Sequence, residues 1–263
     1  MSRITSTLNT LKARGEKALV TFITAGDPDL TTSEQLVHSL VEAGADLIEL
    51  GFPFSDPMAD GPTIQLSSER ALAAGTTLRG VLDLVGRVRQ HSNVPIVLMG
   101  YYNPVFTYGP AQFARDAAAA GVDGLLLVDL PPEEAEEVHP LLTDAGVALI
   151  TLLAPTTGAE RTAQLAAASE GFLYYVSMTG VTGSQQVDAS AITSAVADIK
   201  QMSPVPVAVG FGVSTPDDAK SVAAIADAVV VGSALVKLIA EFSGTPRLQS
   251  EVQGLVRQLK AAI

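Results

Sequence analysis

Glu49 and Asp60 are the two residues of this chain that most invite chemistry. Glu49 lies at the end of a short apolar run that begins at Leu47, and the Pro- and Gly-punctuated stretch Gly51–Pro62 carries two more carboxylates, Asp56 and Asp60. Apolar strands are normally buried. A carboxylate held half out of water at the end of one has a raised pKa and passes protons near neutral pH. Each acid also has a structural alternative. Glu49 could accept N–H groups of a neighbouring loop, and Asp60 could cap a following helix or set a turn. Asp56, ahead of Pro57, reads as a turn residue or a surface contact. Asp129 reads as either a functional acid or the close of a strand.

A second group is glycine-rich. The stretch Ser177–Ser184, the run Gly210-Phe211-Gly212 and the pair Gly232-Ser233 follow three successive apolar runs. Glycines serve tight turns, but they also let a backbone approach an anion with its N–H groups free. Ser233 is placed to start a short helix, whose N-terminus suits phosphate. No Lys or Arg stands in these loops, so backbone dipoles would do the binding. Phe22 and Tyr101, near strand ends, are either core residues or walls of an aromatic pocket.

Other chemistries find no support. His38, His91 and His139 are far apart and fall in or beside predicted helices, so no catalytic metal is expected. None of the six lysines closes a predicted strand, which argues against a Schiff-base enzyme. There is no cysteine and no Gly-x-Ser-x-Gly elbow. Carboxylates, hydroxyls and backbone remain, and they suit general acid–base work on a phosphorylated small molecule.

These residues must be positioned by an alternating framework. Apolar runs at Leu19–Thr24, Asp46–Leu50, Pro95–Met99, Gly124–Val128, Val147–Leu152, Phe172–Val176, Pro206–Val209 and Ala228–Val231 read as strands. Between them, Thr32–Ala43, Leu78–His91, Pro110–Ala120, Pro132–Asp144, Ala159–Ala168, Ala189–Lys200 and Thr215–Ala224 read as helices. Continuous apolar strands alternating with helices signal βαβ units and a parallel sheet. Eight such units in 263 residues fit a single (β/α)8 TIM barrel of the α/β class, one domain spanning residues 1–263. A doubly wound sheet is the rival, but Ala25-Gly26-Asp27-Pro28 stands where its G-x-G-x-x-G would be. Two additions are expected: a helix over Ile4–Ala13 against the barrel floor, and an inserted helix over Pro62–Ala74 after the second strand. The barrel would gather Glu49, Asp60, Asp129, Tyr174 and the glycine loops at the C-terminal ends of its strands.

The bulk numbers agree. The chain is 48% hydrophobic and 17% charged, with a net charge of −12. That field would repel a nucleic acid. The first 15 residues have no apolar signal core, and the apolar runs are too short to span a bilayer. A soluble protein of a reducing cytoplasm is expected.

The motifs, taken together and in order, resemble the tryptophan synthase α subunit family, the indole-3-glycerol-phosphate lyases. The resemblance rests on Phe22–Pro28, on Glu49–Pro62, on Met99–Pro104, on Asp129-Leu130-Pro131, on Thr179–Gly183, on Gly210–Gly212 and on Gly232-Ser233. It implies a retro-aldol cleavage of indole-3-glycerol phosphate to indole and glyceraldehyde 3-phosphate. It assigns proton transfer to Glu49 and steadying of positive charge at the indole N–H to Asp60. It places Phe22, Tyr101, Leu126 and Phe211 at the indole, Tyr174 and Thr182 near the substrate and its lid, and Gly183, Gly210, Gly212, Gly232 and Ser233 at the phosphate. It implies no cofactor in this chain. It further implies an α-β-β-α assembly with a β subunit that carries pyridoxal phosphate. That β subunit would be met by Pro53, Phe54, Asp56, Asn103, Pro104, Pro131 and Pro132. Met178 departs from members that carry Arg there.

Overall fold

The computed structural model describes residues 2–176, 189–210 and 212–263. The chain opens with helix α1 (Arg3–Ala13), strand β1 (Ala18–Thr24), α2 (Leu30–Glu42) and β2 (Leu47–Gly51). Two helices follow, α3 (Pro62–Ala73) and α4 (Leu78–Arg89), then β3 (Ile96–Gly100) and two more, α5 (Tyr102–Tyr108) and α6 (Pro110–Ala120). Next come β4 (Gly124–Leu127), a 3-10 turn (Pro132–Glu137), α7 (His139–Ala145), β5 (Ala148–Leu149), β6 (Thr151–Leu153) and α8 (Ala159–Ala167). The chain ends with β7 (Leu173–Val176), α9 (Ala189–Met202), β8 (Val207–Gly210), α10 (Pro216–Ala223), β9 (Ala228–Val231), α11 (Ser233–Phe242) and α12 (Leu248–Ala261).

All strand pairs are parallel, in the order β5-β4-β3-β2-β1-β9-β8-β7-β6. The two outermost members, β5 and β6, are consecutive and separated only by Ile150. They are two halves of one strand. The first half pairs with β4 and the second with β7, and Ile150 N–H still donates to Leu125 O at 2.8 Å. The sheet therefore closes on itself as a barrel, as the sequence pattern predicts.

Alternation along each strand divides the core. Leu47 of β2 and Val20 of β1 point into the barrel, while Ile48, Leu50, Leu19 and Ile23 point out against the helices. Strands buried on both faces need the near-continuous apolar runs seen here. The amphipathic helix α1 seats Ile4, Leu8 and Leu11 in the same inner cluster as Val97, Leu126, Phe172 and Val230. It closes the floor.

Four carboxylates brace that floor. Asp46, Asp123, Glu170 and Asp227 each sit just before a strand and accept the backbone N–H of Leu19, Ile96, Leu149 and Val207 at 2.7, 2.9, 3.1 and 3.0 Å. Each also meets a basic side chain: Lys260, Arg3 with Arg89, His139 and Lys200 respectively.

The structure departs from the sequence expectations at four places. The helix predicted over Pro132–Asp144 is split into a 3-10 turn and α7, because Pro140 lacks the N–H that a continuous helix would need there. The segment holding Asn103 and Pro104, for which the sequence pattern predicts no element, is the first turn of α5, where proline is tolerated. The Tyr102 N–H at its start donates to the Asp129 carboxylate at 2.8 Å, a cap supplied from 27 residues away. Helix α12 has no counterpart in the predicted elements. Strand β2 runs two residues past Glu49. Among the described residues no helix is long and apolar enough to cross a membrane.

Candidate active site

The C-terminal ends of β1, β2 and β3 define the site. The pleat that turns Leu47 inward also turns Glu49 inward, one layer higher, beside Phe22 of β1 and Val97 of β3. Glu49 is more deeply buried than its type and place in the sequence suggest: it is 1% exposed. Neither of its carboxylate oxygens has a hydrogen-bond partner among the described residues. Burial without compensation penalises the charged form and pushes the pKa up to about 8. At neutral pH this side chain is a carboxylic acid that holds a proton.

Tyr174 of β7 shares the barrel interior and feels Glu49. Its phenol is raised well above the ordinary range by burial first and by the neighbouring carboxylate second. Its hydroxyl occupies the place where a side chain on Gly210 would go: a Cβ there would overlap Tyr174 Oη. Leu126 lies fully buried in the same inner cluster, beneath the open part of the site.

Asp60 stands on the far side of the pocket mouth, half-buried, in the loop between β2 and α3. Burial pushes its carboxyl up to about 6, against a hydrogen bond from the Tyr101 hydroxyl that acts in the opposite direction. The same hydroxyl accepts the Ala59 N–H at 2.9 Å. Gln65 Nε2 donates to Asp60 O at 2.8 Å. The helix α3 is capped by Gly61 without any side-chain hydrogen bond, so Asp60 does not serve as its cap. Phe22, Phe54, Asp60, Tyr101 and Met99 line a narrow pocket together with Thr24, Ile64, Ser68 and Val128. An aromatic wall faces a carboxylate across a small apolar cleft.

The glycine end lies across the barrel mouth. Gly232 caps α11 with no side-chain hydrogen bond, and Ser233 opens the helix. A Cβ on Gly232 would press on Phe22 at 3.3 Å. Gly212 has a left-handed φ of 78°, a conformation that favours glycine. The N–H groups at the start of a ten-residue helix whose cap makes no side-chain hydrogen bond suit an anion. Thr182, Gly183, Phe211 and Met178 lie outside the described residues. No three His, Cys, Asp or Glu side chains are grouped so as to hold a metal ion among the described residues.

Two carboxyls in unlike environments have thus been pushed to different pKa values. That is the arrangement that divides an acid role from an ionised one.

The comparisons with known proteins decide the family. A family model described as tryptophan synthase alpha chain matches residues 8–263. A tryptophan synthase alpha chain of Geobacter sulfurreducens is 58% identical over 263 residues, covering 100% of this chain and 99% of that protein. The chain belongs to the tryptophan synthase alpha chain family. The crystal structure of tryptophan synthase subunit alpha from Legionella pneumophila str. Paris superposes with a TM-score of 0.91 at 42% identity, covering 100% of this chain and 98% of that one. A chain of the tryptophan synthase complex from Pyrococcus furiosus gives 0.84 at 39% identity, covering 93% and 98%. Membership in this family places the chain in tryptophan biosynthesis and makes the fold the family's TIM barrel.

With the family established, the surface beside the site gains interest. Pro53, Phe54 and Asp56 follow β2, Asn103 and Pro104 follow β3, and Pro131 and Pro132 follow β4, so three neighbouring strand ends bring them to one side of the mouth. Asp56, Asn103 and Pro132 are exposed; Phe54, Pro104 and Pro131 are half-buried; Pro53 is buried. The Phe54 ring leans on Tyr101 with 5.3 Å between centroids. Sequence reasoning missed Met58 and Phe106, large apolar side chains 86% and 61% exposed on these same segments. It also missed Thr24 and Ser68 in the pocket wall. Their signal was available in principle, since Thr24 follows Phe22 at strand period.

Proposed function

We propose that the chain cleaves indole-3-glycerol phosphate to indole and glyceraldehyde 3-phosphate by a retro-aldol step, with Glu49 as the proton-transfer group and Asp60 as the charge-stabilising one. The observation that carries this reading is the buried carboxyl of Glu49, unpartnered among the described residues, which holds a proton at neutral pH where half-buried Asp60 has lost its own.

The steps follow from those two states. Glu49 donates its proton to indole C3, which leaves a cation shared with the ring N–H. The Asp60 carboxylate accepts that N–H and favours the cation. Glu49, now ionised in an apolar place, takes the proton of the glycerol hydroxyl next to the ring. The carbon–carbon bond to C3 breaks, its electron pair restores the indole, and the alkoxide carbon becomes the aldehyde. Glu49 ends as it began. Phe22 and Tyr101 flank the ring, with Leu126 completing its pocket, and Tyr174 lies beside the glycerol. The start of α11, with Gly210 and Gly212, receives the phosphate. The family resemblance, not the described residues, adds Phe211 to the ring's pocket, Thr182 to the glycerol and Gly183 to the phosphate.

Indole would pass to a β subunit that joins it to serine with pyridoxal phosphate, in an α-β-β-α assembly of the cytoplasm. This chain forms one domain and carries no cofactor of its own. None of its six lysines stands at the C-terminal end of a strand to hold one. Exposed Met58 and Phe106, set among Asp56, Asn103 and Pro132, support docking of the β subunit on that side of the mouth.

The test is indole release from indole-3-glycerol phosphate, with and without a β subunit and serine. Weak release that rises strongly with the partner is expected. Strong release by the chain alone would make it a free-standing indole producer. No release in either condition would overturn the reading.

A further inference from the structure

Helix α3 interrupts the βα repeat, yet it directly follows Asp60 and sends Ile64 and Ser68 into the pocket wall. Its N-cap makes no side-chain hydrogen bond. It is held from the other side, by the loop that follows β1. Asp27, 2% exposed, receives Arg70 of α3 bidentately, from Nε to Oδ1 at 2.8 Å and from Nη2 to Oδ2 at 2.7 Å. Ser67 Oγ donates to Ile64 O, so Thr24 donates to Ser67 at 2.6 Å. Gly26, with φ of 88°, lies so close to Thr76 that a Cβ would overlap its hydroxyl. On the opposite face of the helix, Gln65 grips the backbone carbonyl of Asp60. Both oxygens of Asp27 are engaged by Arg70, and Asp27 does not line the pocket.

We infer that the Asp27–Arg70 pair is a positioning device for the reaction: it locks α3 to the end of β1, and through α3 and Gln65 it fixes where Asp60 stands. The inference rests on the role proposed above for Asp60. A planar guanidinium fork on a buried carboxylate fixes orientation as well as distance, which an ammonium in its place does not. Displacement of a charge-stabilising group by about 1 Å is enough to cost about 100-fold in rate.

The experiment compares four variants of the full chain, assayed with the β subunit, for kcat, KM and the titration of the Asp60 carboxyl by carbon NMR. Arg70→Lys is expected to lower kcat about 10- to 100-fold with KM changed less than about threefold. The Asp60 titration should move down towards the ordinary carboxylate range as the loop relaxes into water. Gln65→Ala leaves the ion pair intact and should shift kcat and titration in the same direction by a smaller factor, which covers the case in which Arg70→Lys fails to fold. Arg87→Lys, which weakens the pair of Arg87 with Glu34 on the outer helices, should change neither. An unchanged kcat and an unchanged Asp60 titration in Arg70→Lys or in Gln65→Ala would overturn the inference. Asp60→Asn distinguishes the two levels: if that variant keeps full turnover, the role of Asp60 itself fails, whatever the other variants do.

Discussion

The two ends of this barrel treat acidic side chains in opposite ways. At the floor, Asp46, Asp123, Glu170 and Asp227 each accept a backbone N–H and each face a basic partner. At the mouth, Glu49 is buried as deeply as any of them and has no partner among the described residues. A buried polar group left unsatisfied costs stability, and burial of an uncompensated charge costs more. The floor carboxylates brace the fold, whereas Glu49 weakens it. A weakness kept at the C-terminal end of barrel strands is what the proton-transfer role proposed for Glu49 requires.

The contrast can be broken most directly at Glu49. Glu49→Gln should lower indole release by about 1,000-fold or more, since the proposed role gives one group two proton transfers and a single one is worth about 100- to 10,000-fold. Steady-state turnover checks it; a retained rate would return Glu49 to the structural class. Asp60→Asn should lose about 100-fold and flatten the acid limb of the pH profile. In the wild type that profile should be bell-shaped. It rises as Asp60 ionises near 6 and falls as Glu49 loses its proton near 8.

At the floor the opposite balance is expected. Asp123→Ala takes the carboxylate from Nη2 of Arg89, only 10% exposed, whose other nitrogens keep backbone carbonyls, and leaves the Ile96 N–H without its acceptor. It should cost about 3 kcal/mol or more of stability, roughly 6–12 °C in thermal midpoint, with kcat little changed. A variant that melts normally yet turns over poorly would erase the distinction between the ends.

Stability of Glu49→Gln sharpens the comparison from the other side. The folded-state pKa of Glu49 is raised, so its contribution is fully present below the ordinary value near 4.5. It is lost as pH climbs towards 8. The variant should therefore be more stable than the wild type at pH 8, on the order of 4 kcal/mol, and equal to it near pH 4. Denaturant midpoints at the two pH values decide. The smallest effect belongs to Glu170→Gln. The pair with His139 is about 40% exposed on both sides, and its loss should cost within about 1 kcal/mol.

The strands and most helices were legible because their signals are local: apolar runs for β1 to β9, amphipathic spacing for α4, a capping box at Thr215 for α10. Glu49 was legible because an acid breaks an apolar run. Its full burial was not, since that depends on which strands close around it. Helix α5 was invisible because its cap, Asp129, comes from the next βα unit. The floor braces were invisible for the same reason, as each joins an acid to the strand before it across a helix. The tie between Asp27 and Arg70 spans 43 residues and left no trace in spacing.

Helix α1 carries a consequence of a different kind. It is the first element of the chain, yet its berth is made by residues from Ala18 through Val230. Arg3 is anchored on Asp123, midway along the sequence. During synthesis that berth does not exist until the final strand has left the ribosome. Helix α1 is thus made well before its seat is complete, and Ile4, Leu8 and Leu11 have no closed inner cluster to join until strands far along the chain have followed.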